Sequence, residues 1–318
     1  VLDPARAAGL RDGAGISLAE AIRATGADPA GLGPDPALLR RIGAFVELHV
    51  EQGRALAGRP GGPAGRSAPV GVASRIWPHG RWRLEFRGEG NHAGTTAMGD
   101  RHDPMLTYAY TVLAANKEAR LAGGYATIAR TTIEPGATNA IPSRVDAWLD
   151  ARAPSTMELE KLVAAIASRA ADRAGRDGTG FTMSEESCSP AVEFDPALRD
   201  RLVSILDGAP VLPTGAGHDA GVLAARLPTA MLFVRNPTGV SHAPAEYATD
   251  EDCAAGVEAL AAVLADLATG TDPAANSDLA TGTDRAGNTD PAADTHRAGN
   301  SDPAGNTDPA GNSGLAGG

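Results

Sequence analysis

Apolar and polar residues alternate with period two through several short stretches of the chain and give way to three-and-four spacing in others. Val70 to Ile76 and Arg81 to Arg87 read as two strands joined as a hairpin around Trp77-Pro78-His79-Gly80, where Pro and Gly supply the turn. Tyr125 to Glu134 and Arg144 to Arg152 read as two more strands about Pro135-Gly136, and Phe181 to Glu185 as a last short one. Between them, Asp103 to Leu121 has helical periodicity, with Asp103 as N-cap and Pro104 in the first turn. Ser155 to Ala174 follows, with Ser155 and Glu158 in a capping-box pattern. This order of elements predicts a small α+β unit with helices on one face of an antiparallel sheet.

The flanking regions have a different character. Ile42 to Val50 leads into Glu47-Leu48-His49-Val50-Glu51. Further on come a helix over 195–206, a helix over 219–226, the apolar run Thr229 to Val234 as a buried strand, and a helix over 250–267. Residues 1–69 and 188–268 are therefore expected to form one α/β domain, a mixed sheet flanked by helices, into which residues 70–187 are inserted. Ser17 to Ala24 is a helical candidate, and 54–69, rich in Gly, Pro, Arg and Ala, reads as a linker or exposed loop. Pentads such as Asp302 to Asn306 fill 269–318; with almost no side chain larger than alanine to bury, this tail reads as disordered and receives no function.

Charge and composition narrow the function classes. A net charge of -11 disfavours nucleic acid, which needs clustered Lys and Arg. No run approaches the roughly 18 apolar residues of a membrane span, and a soluble, cytoplasmic protein is expected. Two cysteines, Cys188 and Cys253, make neither a metal-ligand spacing nor a disulfide scaffold.

Candidate chemistry gathers in two turns that bracket the Thr229 to Val234 strand, each placing a histidine near an acid: Gly215-Ala216-Gly217-His218-Asp219 and Ser241-His242-Ala243-Pro244-Ala245-Glu246. Glycines 215 and 217 are expected to allow a positive φ or a close backbone approach. Earlier, Glu47, His49 and Glu51 fall on one face of an extended segment, which suits either a metal or acid–base face or a solvated edge strand. Arg152, judged by strand position alone, reads first as a surface ion pair.

Five motifs in one order, Glu47 to Gly53, Asn91 to Thr96, Asn139 to Pro142, Gly215 to Ala220 and Ser241 to Glu246, resemble the hydantoinase/carbamoylase branch of the zinc-exopeptidase-like metalloamidases. That group comprises allantoate amidohydrolases, N-carbamoyl-L-amino-acid hydrolases and β-ureidopropionases. The resemblance implies a catalytic α/β domain, an inserted α+β lid and dimerisation domain with a four-stranded antiparallel sheet and two helices, a homodimer through that lid, and two divalent metal ions, manganese or zinc with cobalt as an option.

Carried over by motif, His49 and His242 are implied metal ligands. His92 is the implied oxyanion donor, and Asn139, Arg152, Gly217, His218 and Gln52 are the implied substrate-binding groups. The family's remaining ligands, a His-x-Asp histidine, a bridging aspartate and a Glu-Glu pair, have no counterpart before His49, so the chain as given is expected to lack part of the metal site. The implied activity is cleavage of a linear C–N bond of a ureido acid, with allantoate, a substrate of purine catabolism, slightly preferred through Ile76 to Arg83. N-Carbamoyl-L-amino-acid or β-ureidopropionate hydrolysis and an aminoacylase or peptidase are the enzyme alternatives. A dimerising remnant that binds ureido acids without turnover is the alternative of another class.

Overall fold

The computed structural model describes residues 3–58 and 67–269. Residues 59–66 of the expected loop, and 270–318 with the pentads, lie outside the described residues. In chain order the helices are α1 Pro4–Ala8, α2 Leu18–Ala24, α3 Pro36–Leu39, α4 Pro104–Ala122, α5 Thr156–Asp177, α6 Pro196–Ile205, α7 Asp219–Leu223 and α8 Asp250–Thr269. The strands are β1 Phe45–Val50, β2 Val70–Ile76, β3 His79–Arg87, β4 Asn91–His92, β5 Tyr125–Glu134, β6 Ala140–Ile141, β7 Arg144–Arg152, β8 Gly180–Ser189, β9 Val192–Glu193, β10 Val211–Thr214 and β11 Thr229–Val234.

Two larger sheets form, in the α/β architecture expected. One is mixed and runs β1-β11-β2-β10, with β9 paired to β2. Thr229–Val234 is buried at every position, the pattern of a strand covered on both faces. It lies parallel to β1 and antiparallel to β2. Leu198 and Leu202 of α6 and Ala259 and Val263 of α8 pack with Val72, Ala230 and Leu232 on one side; Ala220 of α7 packs with Ala73, Met231 and Phe233 on the other.

The second sheet is antiparallel and runs β5-β7-β3-β8. Strict alternation along β3 sends Trp82, Leu84 and Phe86 inward, with Val145, Ala147, Leu149 and Ala151 of β7, against Leu159, Leu162 and Ile166 of α5 and Ala115 and Ala119 of α4. Its other face is charged. There Arg83 bonds Asp146 at 3.0 and 3.2 Å, and Arg130 lies 4.1 Å over the Trp148 ring. Local capping starts both helices as the sequence predicts: Asp103 accepts from Met105 N–H, and Ser155 Oγ accepts from Glu158 N–H.

Three readings need correction. Val70–Ile76 and the strand after it do not form a hairpin: β2 pairs with β11 and β10, whereas β3 pairs with β7 and β8, so Trp77-Pro78 carries the chain from one sheet to the other. The expected exposed loop after Gly53 contains Leu56, which is 2% exposed and sits in the core against Ala73 and Leu212. Glu51 explains why that loop turns inward. Its carboxylate, itself buried, accepts from Ala55 N–H at 2.5 Å and Leu56 N–H at 2.9 Å. Because β1 ends at Val50, Glu51 is a turn-forming residue and does not share the face of Glu47 and His49. Of the two options expected for Gly215 and Gly217, neither glycine uses a positive φ; in this part of the chain His242 does, at 56°.

Residues 3–42 contribute no buried apolar side chain, and Leu10, Ile16, Leu18 and Leu38 are exposed. Their helices are held by local caps: Asp3, Ser17 and Asp35 each accept a backbone N–H of the helix that follows.

Candidate functional site

Four groups of polar residues hold the chemistry. The first lies on the face of β1. His49 donates from Nδ1 to the Val50 carbonyl at 2.8 Å; a carbonyl can only accept, so Nδ1 carries a proton and Nε2 is the ring nitrogen left for another partner. The His218 ring stands edge-on to it, centroids 4.7 Å apart. Burial, then the neighbouring His49, pushes the His218 pKa below the ordinary histidine range against the pull of Glu47 and Asp219, so its ring is neutral near pH 7.

The second group is built where parallel strands β1 and β11 both end, a usual place for a site in an α/β sheet. Asn236, fully buried, accepts from Thr238 and Gly239 N–H and donates to the Val240 carbonyl. Glu246 accepts from Ser241 Oγ at 3.0 Å and from His242 N–H at 2.9 Å, which holds His242 in its left-handed conformation. From the end of β1, Gln52 Nε2 reaches Ser241 Oγ at 3.3 Å and stands 3.4 Å from His242 Nε2.

The third group joins the two sheets. Arg152 ends β7 and sets its planar fork on Asp150, Nε to Oδ1 at 2.8 Å and Nη2 to Oδ2 at 3.1 Å, while Nη1 donates to the Gly215 carbonyl at 2.5 Å. Trp77 and Tyr125 stack beside it, centroids 5.6 Å apart. All three guanidinium nitrogens thus have a protein partner, which leaves one N–H on each of Nη1 and Nη2 for a further acceptor. Gly217 is exposed, and a Cβ there would meet nothing within 4 Å, so its backbone is open to approach.

The fourth group sits at the far end of the antiparallel sheet. His92 in β4 faces Ala140 of β6, and the Asn139 carbonyl accepts Ala93 N–H at 2.9 Å, so His92 and Asn139 are held side by side. His92 is exposed, and Gly94 N–H donates to its Nδ1 at 3.1 Å, which leaves the ring proton on Nε2 as a donor of the kind an oxyanion requires. Arg101 braces the loop through the carbonyls of Ala93 and Thr96.

The structure therefore brings His49 to His218 and Gln52 to His242, and Arg152 to the turn before His218. His92 and Asn139 are paired with each other but not with Arg152: register partners His79↔Arg152 and Arg87↔Arg144 put them beyond opposite ends of the sheet. Asp150 and Asn236 are organising residues that the sequence reading does not single out; Glu47 and Glu246, expected beside their histidines, act instead on backbone N–H groups and Ser241 Oγ.

Two imidazoles without a carboxylate do not suit a binuclear centre of divalent ions. Among the described residues, no group of three or more His, Cys, Asp or Glu side chains is arranged to hold a metal ion. The donors present do not fit such a centre by themselves.

A mixed sheet with polar loops at the ends of parallel strands, tied by an arginine to an antiparallel α+β sheet, defines the class as an α/β protein with a composite polar site. The chain belongs to peptidase family M20/M25/M40, which it matches over residues 13–266. It is 38% identical over 280 residues to an N-carbamoyl-L-amino acid amidohydrolase of Geobacillus stearothermophilus, covering 84% of this chain and 65% of that one. Over 236 residues it is 32% identical to an allantoate amidohydrolase of Escherichia coli, covering 71% and 55%. An amidase of the hydantoinase/carbamoylase family from Burkholderia vietnamiensis superposes with a TM-score of 0.70 at 28% identity, over 83% of this chain and 63% of that chain. The chain spans 65% and 55% of the length of the two curated relatives.

Proposed function

We propose that this chain forms the substrate-recognition part of a metal-dependent amidohydrolase that cleaves a linear C–N bond of a ureido acid. The observation that carries the reading is the pairing of two recognition groups with the right chemistry. Arg152 is a fixed planar cation for a carboxylate, and His92 is an exposed imidazole whose Nδ1 accepts from Gly94 N–H and whose Nε2–H remains to donate to a tetrahedral oxyanion. Asn139, next to His92, and the exposed backbone of Gly217 are the companions of these groups at the substrate carboxylate.

The spacing of these groups favours a site shared between two copies. Eight residues of β7 separate the Arg144 and Arg152 positions, about 26 Å at roughly 3.3 Å per residue, with Asn139 further still. A ureido acid is far smaller. A two-fold dimer built on the antiparallel sheet would bring His92 and Asn139 of one copy to Arg152 of the other.

Family membership supports divalent-metal dependence for the complete enzyme, and no step is assigned to a metal here. The test is calorimetric titration of the 318-residue chain with N-carbamoylglycine and allantoate, against N-acetylglycine and a dipeptide, with ammonia release followed in Mn2+ or Zn2+. Expected is selective ureido-acid binding with turnover far below a typical 10 per second or so. Preference for the N-acetyl compound or dipeptide would replace this reading with an aminoacylase or peptidase, and no binding at all would remove it.

A further inference from the structure

Glu47 binds none of the implied substrate groups except through its place beside His218, yet its carboxylate, 18% exposed, is engaged by the backbone of another element. Helix α7 opens with His218 at its N-cap, and the His218 side chain makes no capping hydrogen bond. First-turn N–H groups left this way need an acceptor from elsewhere. Glu47 supplies it from β1: Oε2 accepts Ala220 N–H at 2.7 Å, and Oε1 stands 3.6 Å from His218 Nδ1. With His49, two residues on along the same strand face, it holds the His218 ring from below.

The other end of the same turn is equally tied. Ala216 N–H donates to Thr214 Oγ1 at 3.0 Å, and the Thr214 carbonyl accepts Trp77 N–H at 2.8 Å. One residue on, the Gly215 carbonyl accepts from Arg152 Nη1. A continuous path of bonded groups thus runs from Glu47 through the Ala220 amide and the turn to the guanidinium of the other sheet.

We infer that Glu47 is a positioning residue that fixes the Gly215–Asp219 turn against β1 and, through the Gly215 carbonyl, sets where the Arg152 guanidinium stands. It touches no substrate itself. This rests on the reading of Arg152 as the carboxylate-binding group. Glu47→Gln keeps an acceptor for Ala220 N–H and should preserve the arrangement; Glu47→Ala removes it and should let the turn and the guanidinium move.

The experiment compares wild type, Glu47→Gln and Glu47→Ala in the 318-residue chain. Two quantities are read: the Arg152 Nε–H signal and its exchange with water in 15N NMR spectra, and the affinity for N-carbamoylglycine. Expected is an unchanged arginine signal in Glu47→Gln, a shifted and faster-exchanging one in Glu47→Ala, and about tenfold weaker binding in the alanine variant, the size of one lost hydrogen bond to a charged group. Asp195→Ala, which removes the N-cap of α6 away from this path, should lower stability without moving the arginine signal. If Glu47→Ala does not fold, Glu47→Asp, with its acceptor drawn back by one methylene, is read in its place. A folded Glu47→Ala (or Asp) chain with wild-type arginine signal overturns the inference. Failure of wild type to bind N-carbamoylglycine would sink the ureido-acid reading instead, and the arginine signal would still decide for or against Glu47.

Discussion

Asp150 holds Arg152 through two hydrogen bonds on residues two apart along one strand, Oδ1 to Nε at 2.8 Å and Oδ2 to Nη2 at 3.1 Å. Burial pushes the Asp150 carboxyl up, but the hydrogen bonds and charge of Arg152, joined by Arg81, outweigh it and hold the group below the ordinary carboxylate range. A depressed carboxylate adds stability that is present above its unfolded pKa, about 3.9, and is lost as pH falls through the folded value. Asp150→Asn should therefore lower the melting temperature at pH 7, and the gap to wild type should close below about pH 4. Thermal melts across pH 2 to 8 check this; a gap that stays constant through the acid range would show that the pair adds no charge-linked stability.

Glu51 should prove structural. Removing its carboxylate in Glu51→Ala leaves the buried Leu56 N–H without its acceptor, at about 1–3 kcal/mol, while the N–H of exposed Ala55 can turn to water at a smaller cost. Denaturant unfolding should show a loss of about 1–3 kcal/mol for Glu51→Ala, set mainly by the Leu56 N–H, and a smaller one for Glu51→Gln. A metal-face role would instead leave stability nearly unchanged.

His92 should behave in the opposite way. It is exposed, so His92→Ala should change stability by no more than about 0.5 kcal/mol. In the complete enzyme the same change should lower kcat by about a hundredfold or more, the usual cost of an oxyanion donor. A Cβ at Gly94 would lie 3.1 Å from His92 Cε1, so Gly94→Ala should turn the ring and lower kcat without unfolding the chain. Stability and rate measured on both variants separate the two effects.

What the sequence discloses here is mainly what is local. Thr229–Val234 is a mainly apolar run and forms a strand over those residues, and Asp103 and Ser155 cap their helices because capping depends on residues two or three apart. Asp150 beneath Arg152 was legible too, since residues two apart on a strand share a face. Trp77-Pro78 carries the signal of a tight turn, and only the distant partners β10 and β11 decide that it crosses between sheets. Glu47 and Ala220 are 173 residues apart, with no local pattern to join them. His242 adopts positive φ where the glycines 215 and 217 do not, because Glu246 and not residue type holds that backbone.

The shared site is the claim on which the functional account turns, and mixing two broken copies tests it most directly. Asn139→Ala and Arg152→Ala chains are each expected to lose N-carbamoylglycine binding, then to be unfolded and refolded together in equal amounts. In a mixed dimer one site pairs an intact Arg152 with an intact Asn139 from the other copy. Random pairing should therefore restore about a quarter of the wild-type number of binding sites, counted by calorimetry. Mixed dimers that form, as shown by mass spectrometry, yet bind no more ligand than either variant alone would contradict it.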